Sequence, residues 1–223
     1  MAGDLSYLIG LSFVCGIFGA GYFISSYTAQ KHVEAGITTL VSNIYTPVTI
    51  VLATFFLSEK LTTIQVFGTA LLLVGMFIVS QKHRIGPLKF DKYFMLMVLS
   101  GVMLGISLTA ERALQKITGF TAGTMFSWWM QCAFLGLITL ITKNKSEYSK
   151  KDITITGGLR FLQSLSWVIL IFVVGNLSLV SAVTTFKVVI IFIAAAIFLK
   201  EREDFLKKII GSLVALAGLL LMK

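Results

Sequence analysis

The sequence predicts an all-α integral membrane protein of about eight transmembrane helices packed as one bundle. Composition is the first reason. Of the 223 residues, 57% are hydrophobic and only 13% are charged, with a mean hydropathy of +0.91, whereas soluble domains carry about a quarter charged residues. Length is the second: the apolar segments run to about 20 residues, which a helix rising 1.5 Å per residue needs to cross a hydrocarbon core of about 30 Å. The third is a missing alternation, because strands of a membrane barrel would alternate apolar and polar residues and these segments do not.

In chain order the spans fall at 5–26, 36–57, 62–80, 93–113, 121–142, 155–175, 179–199 and 208–222. The opening "MAGDLSYLIGLSF" has no basic region, so the first span reads as a retained helix and not a cleaved signal. In the second, Pro47 is expected to kink the helix, with Ser42 and Asn43 placed to satisfy the carbonyls it frees. Gly16 with Ala20, Gly21 with Ser25, Gly101 with Gly105 and Gly211 with Ala215 stand at the spacing that lets backbones approach in lipid. Cys15 and Cys132 lie within apolar segments and read as small buried side chains.

Signals of soluble enzymes are absent. There is no phosphate loop and no Cys-x-x-Cys, and His32 and His83 both fall in connections. No enzyme activity, cofactor or metal is expected. The net charge of +9 sits mostly in the connections, which reads as membrane topology and not as nucleic-acid binding.

An internal repeat relates "LSEKLTTIQVFGTALLLVGMFIVS" (57–80) to "LKEREDFLKKIIGSLVALAGLLLM" (199–222). Glu59, Gly68 and Gly75 correspond to Glu201, Gly211 and Gly218, with one extra residue in the second turn. Upstream, "EAGITTLVS" (34–42) matches "LVSAVTTFK" (179–187). Repeats of this kind build many transporters.

On the pattern "SEKLT..Q..G......G" at 58–75, Pro47 twelve residues before Glu59, and "YTAQKHVEAGITTL" at 27–40, the chain resembles the EamA-type branch of the drug/metabolite transporter superfamily. That resemblance implies ten helices in two inverted five-helix halves, moving small metabolites through a central cavity. Here residues 1–80 form a three-helix, incomplete first repeat and 93–223 a five-helix second repeat, a 3+5 inverted-repeat bundle. The missing pair points to an N-terminal truncation, a divergent eight-helix form, or a subunit that pairs as a homodimer. The expected location is the cell (plasma or inner) membrane, multi-pass.

Orientation is read two ways. Eight spans put both termini on one side, cytoplasmic by the resemblance. That side carries Lys60, Arg112, Lys116 and Lys223, while the opposite connections carry thirteen Lys and Arg. The excess of positive charge on the cytoplasmic side of membrane proteins therefore favours termini outside.

Polar groups inside spans are the candidate site, since they are costly in lipid. Lys187 is eight residues into the seventh span, about 12 Å deep, beyond easy reach of the surface for a stem of roughly 6 Å. Arg160 is five residues into the sixth, about 7.5 Å, shallow enough to snorkel. No Asp or Glu is expected in the interior of any span, Glu111 coming closest near the end of the fourth. The small multidrug exporters of the superfamily use an embedded glutamate, so its absence argues against a proton/cationic-drug antiporter of that type. "FKVVIIF" is also similar to the triose-phosphate translocators, where a lysine on this helix grips phosphate; those follow it with arginine, and here Val188 stands instead.

Tyr45 and Asn43 are the first-half counterparts of the Lys187 region, and Gln163 and Trp128, with Ser166, Trp129 and Gln131, complete the candidate lining. Interhelical hydrogen bonds for the amides and interface anchoring for the tryptophans are the alternative roles. Glu59 and Glu201 are expected to cap the helices that follow them. The reading is a transporter of a small organic metabolite, anionic or zwitterionic, working by alternating access. Its site is expected between the sixth and seventh spans and their first-half counterparts. The alternatives are an amino-acid or drug exporter, a lipid-carrier flippase, or a non-transporting membrane scaffold left by loss of helices.

Overall fold

A computed structural model describes residues 2–32, 41–80, 92–142, 149–186, 189–190 and 205–221. Among these there are eight helices of a turn or more in length and no strand. They are α1 (Ala2–Gln30), α2 (Tyr45–Leu57), α3 (Thr63–Ser80), α4 (Lys92–Thr118), α5 (Phe120–Thr142), α6 (Lys150–Val174), α7 (Leu177–Thr184) and α8 (Phe205–Leu221). Four are long and apolar enough to cross a membrane: Leu5–Gln30, Lys92–Thr118, Phe120–Thr142 and Ile153–Val174. The molecule is therefore a helical membrane bundle.

Among the helix ends that differ from the expected spans, three have a local reason. α4 runs on to Thr118 because "ERALQK" after the apolar stretch is made of strong helix formers. It stops where Gly119 takes φ +86° and turns the chain into α5. α6 starts at Lys150, five residues earlier than its apolar run, because helix continues through the polar first turn. α2 begins at Tyr45 after a turn at Asn43–Ile44. Pro47 has no N–H to give the Asn43 carbonyl, and that carbonyl accepts from the Thr46 N–H at 3.0 Å instead. The break thus lies before the proline, and Ser42 turns to the Met97 sulfur at 3.5 Å and not to a freed carbonyl.

The small-residue pairs do what their spacing suggests. A Cβ built on Gly16 would meet Phe134 of α5 at 2.6 Å, one on Gly21 would meet Met103 of α4 at 2.9 Å, and one on Gly105 would meet Val48 of α2 at 2.6 Å. α1 therefore packs on α4 and α5, and α4 on α2. Cys15 is buried and free, and Cys132 is free but exposed, against the expectation that both are buried.

The repeat glycines meet each other. α3 and α8 pack antiparallel in backbone contact: a Cβ on Gly218 would lie 2.6 Å from both the Gly68 carbonyl oxygen and the Leu72 nitrogen. One on Gly75 would run into the Ala215 nitrogen and lie 2.6 Å from the Gly211 carbonyl oxygen. Each helix presents its glycine to the other's backbone, so neither accepts a side chain there. Gly75→Val is expected to lower bundle stability by about 1–3 kcal/mol, measured as a fall in thermal unfolding midpoint in detergent. Gly136→Ala, at a position with nothing within 4 Å, should leave the midpoint unchanged or slightly raised.

Candidate functional site

Polar side chains collect at two levels. At one membrane end the Glu59 carboxylate, 8% exposed, ties three elements together. Its Oε1 accepts from Arg112 Nε at 3.0 Å and lies 2.9 Å from Lys116 Nζ, both on the last turns of α4. Its Oε2 accepts from the Leu177 N–H at 2.5 Å, the first residue of α7. Arg112 also donates to the Gly175 carbonyl, Lys116 to the Leu57 carbonyl at 2.8 Å, and Ser178 Oγ to the Glu59 carbonyl at 3.1 Å. The acceptor-only carboxylate thus meets two cations and a helix N-terminus, the partners that stabilise it most.

Glu59 does not cap α3. Thr62 and Gln65 cap it reciprocally, the Thr62 N–H donating to Gln65 Oε1 at 3.0 Å and the Gln65 N–H to Thr62 Oγ1 at 3.3 Å. Glu201 lies outside the described residues.

Inward from this latch is a cavity of about 170 Å³, space for roughly a dozen waters. Gly19, Tyr22 and Phe23 of α1 line it, with Tyr45 of α2, Leu104, Ser107, Leu108 and Glu111 of α4, Trp128 and Gln131 of α5, and Gln163, Ser164, Trp167, Val168 and Arg160 of α6. Of the sequence candidates, Arg160, Tyr45, Gln163 and Trp128 come together here. Asn43 is buried in the turn before α2 and is not part of the lining. Lys187 lies outside the described residues. No described residue of α7 lines the cavity; α1, α4, α5 and α6 form most of its described wall, and residues 187–188 and 191–199 of the seventh span lie outside the described residues. Ser166 and Trp129 are exposed and point away from it, whereas Gln131 belongs to it.

Arg160 is seven residues into the candidate span Ile153–Val174, about 10 Å from its start, and it lines the cavity. Its Nη2 donates to the Tyr22 hydroxyl at 3.2 Å, its Nη1 to Gln163 Oε1 at 2.9 Å, and its guanidinium lies 5.6 Å from the Phe23 ring centroid. Among the described residues no carboxylate pairs with it.

Glu111 is the main correction. It is 6% exposed and faces the cavity from the inside of α4, seven residues before the helix ends, about 10 Å. Ser127 Oγ donates to its Oε2 at 3.1 Å, and Gln131 Nε2 donates to Ser127 Oγ at 3.1 Å. Its Oε1 has no hydrogen-bond partner. The expectation of a carboxylate-free interior fails because α4 continues past its apolar run. With it fails the argument from absence against a cation-handling site. The continuous run of helix formers from Ala110 to Lys116 was the signal that would have placed Glu111 inside.

A bundle of apolar helices around a partly polar cavity defines a polytopic helical membrane protein. Residues 4–81, which hold α1 to α3, match the model of the EamA-like transporter family, and over that stretch the chain is similar to it. No curated protein matches the chain.

The latch gives a graded expectation. Glu59→Gln leaves Arg112 and Lys116 without their carboxylate and is expected to destabilise the bundle by about 3 kcal/mol, read from the thermal midpoint in detergent. Lys116→Met removes the partner whose side chain is 39% exposed and should cost no more than about 1 kcal/mol.

Proposed function

We propose that the chain carries a small organic solute bearing an anionic group across the cell (plasma or inner) membrane by alternating access. The observation that carries this reading is Arg160: a guanidinium within an apolar span, facing a cavity, held by Tyr22 and Gln163 and by no carboxylate among the described residues. A half-buried cation within a span is costly unless it is paired, and an anionic solute would pair it. The Glu59 latch closes the end of the bundle nearest Glu111, so the cavity is entered from elsewhere until the latch opens. On this reading residues 1–80 and 93–223 are two unequal inverted repeats. The antiparallel contact of their matched glycines supports it, and Lys187 supplies a second cation to the site.

The test is counterflow in liposomes reconstituted with purified protein, using labelled phosphates, carboxylates and amino acids. Exchange of at least one of them is expected, falling about tenfold or more with Arg160→Gln, since a charged hydrogen-bond partner is worth about 1.5–3 kcal/mol. Failure to exchange any member of the panel overturns the transport reading. In the same assay Lys187→Met is expected to weaken exchange or change selectivity, and unchanged behaviour removes Lys187 from the site.

A further inference from the structure

We propose that Glu111 is a binding site for a solute ammonium group, and that with Arg160 it makes the cavity selective for zwitterions. The inference rests on the reading of Arg160 as the anion-binding group and extends it to a second charged side chain of the same cavity wall.

The carboxylate is more than nine-tenths buried, lines the cavity, and leaves Oε1 without a hydrogen-bond partner. An ionised carboxylate has about four acceptor positions, and Ser127 and the Trp128 side chain take two of them. Burying such a group charged and unpaired carries a large desolvation penalty, which a proton or a visiting cation relieves. The nearby cations of the described chain are already engaged. Arg112, the next residue on the helix and about 100° round it, turns away to Glu59, as does Lys116. Arg160 is held by Tyr22 and Gln163.

The surroundings suit an ammonium. Trp128 and Trp167 line the same cavity, and aromatic faces attract a cation within about 6 Å. The relay from Gln131 through Ser127 to Oε2 fixes the carboxylate in one orientation, leaving Oε1 to the visitor. Arg160 lies on another helix of the same cavity wall, so a solute in the cavity meets one anionic and one cationic side chain. A solute with only an anionic group would leave Glu111 unpaired, and one with only an ammonium would leave Arg160 so. Either deficit penalises the wrong class more than the correct contacts reward the right one.

The experiment is thermal stabilisation of the purified full chain by each of the twenty protein amino acids, beside their N-acetyl and methyl-ester derivatives. These remove the ammonium and the carboxylate charge respectively. At least one free amino acid is expected to raise the midpoint, with both of its derivatives about tenfold to a hundredfold weaker. Glu111→Gln, which keeps the shape and a partner for Ser127, is expected to lose the preference for the free amino acid over its N-acetyl form while keeping the anion contact. Arg160→Gln should lose the preference over the methyl ester.

If N-acetyl derivatives bind wild type as well as free amino acids do, Glu111 is not an ammonium site and the Arg160 reading stands. If no amino acid stabilises the protein, the zwitterion proposal fails. A Glu111→Gln defect restored by a second change, Lys187→Met, would assign the carboxylate to Lys187 and overturn the proposal. Should Glu111→Gln fail to fold, Ser127→Ala reads the same preference with the carboxylate retained but no longer oriented, and an unaltered preference there counts against the site.

Discussion

One carboxylate determines how this bundle closes. Glu59 lies in a five-residue turn between α2 and α3, yet its partners come from the end of α4 and the start of α7. In a low-dielectric environment two cations and a helix N-terminus around one acceptor form a strong, geometrically demanding contact, and removing the acceptor leaves the cations stranded. Four helices are therefore brought to one point by a single side chain. The neighbours Glu111 and Arg112 project from adjacent positions on α4, one into the cavity and the other into the latch.

The second constraint is a pair of helices interrupted at facing positions. α2 is preceded by a turn at Asn43–Ile44, and α7 ends in a turn at Thr185–Phe186. In both places backbone N–H groups reach the carbonyl three residues back, as Thr46 does to Asn43 and Phe186 to Val183. The interruptions touch: Thr46 Oγ1 lies 2.8 Å from Thr185 Oγ1, and the Tyr45 hydroxyl 3.4 Å from Thr184 Oγ1. Irregular backbone at membrane depth is tolerated where protein covers it or a cavity borders it. Here hydroxyls do the covering, and Tyr45 belongs to the break and the cavity wall at once.

Much of this was legible in the sequence, and the failures have physical reasons. Hydropathy located the helices because lipid demands about 20 apolar residues per crossing, and the glycines that mark the repeat lie in the α3–α8 contact, which the sequence comparison did not foresee. Arg160, Tyr45, Gln163 and Trp128 could be gathered as polar groups within apolar runs. Hydropathy marks where lipid contact ends and not where the helix ends, so α4 and α6 were cut short and Glu111 passed for a terminal residue. The role of Glu59 was hidden for a different reason: Leu177 is 118 positions away, and local capping rules cannot see so far. Tyr22 and Trp167 carried no signal, being aromatic residues on helices where interface or packing roles are commoner.

The two halves also differ in how their helices are used. α1 packs along α4 and α5, whereas α6, its counterpart in the 3+5 reading, touches α5 through Trp128 with Phe161 and Phe120 with Phe172 and leans on α7. Leu159, Leu162 and Val173 on α6 are more than half exposed, and Gly157 and Gly158 have nothing within 4 Å. The apolar part of that face is compatible with lipid. Gln163, exposed on the same helix and bonded to Arg160, is not, because an amide in hydrocarbon needs partners for all its groups. The guanidinium supplies one of them. The guanidinium that lines the cavity therefore also satisfies a polar side chain on an exposed face of α6.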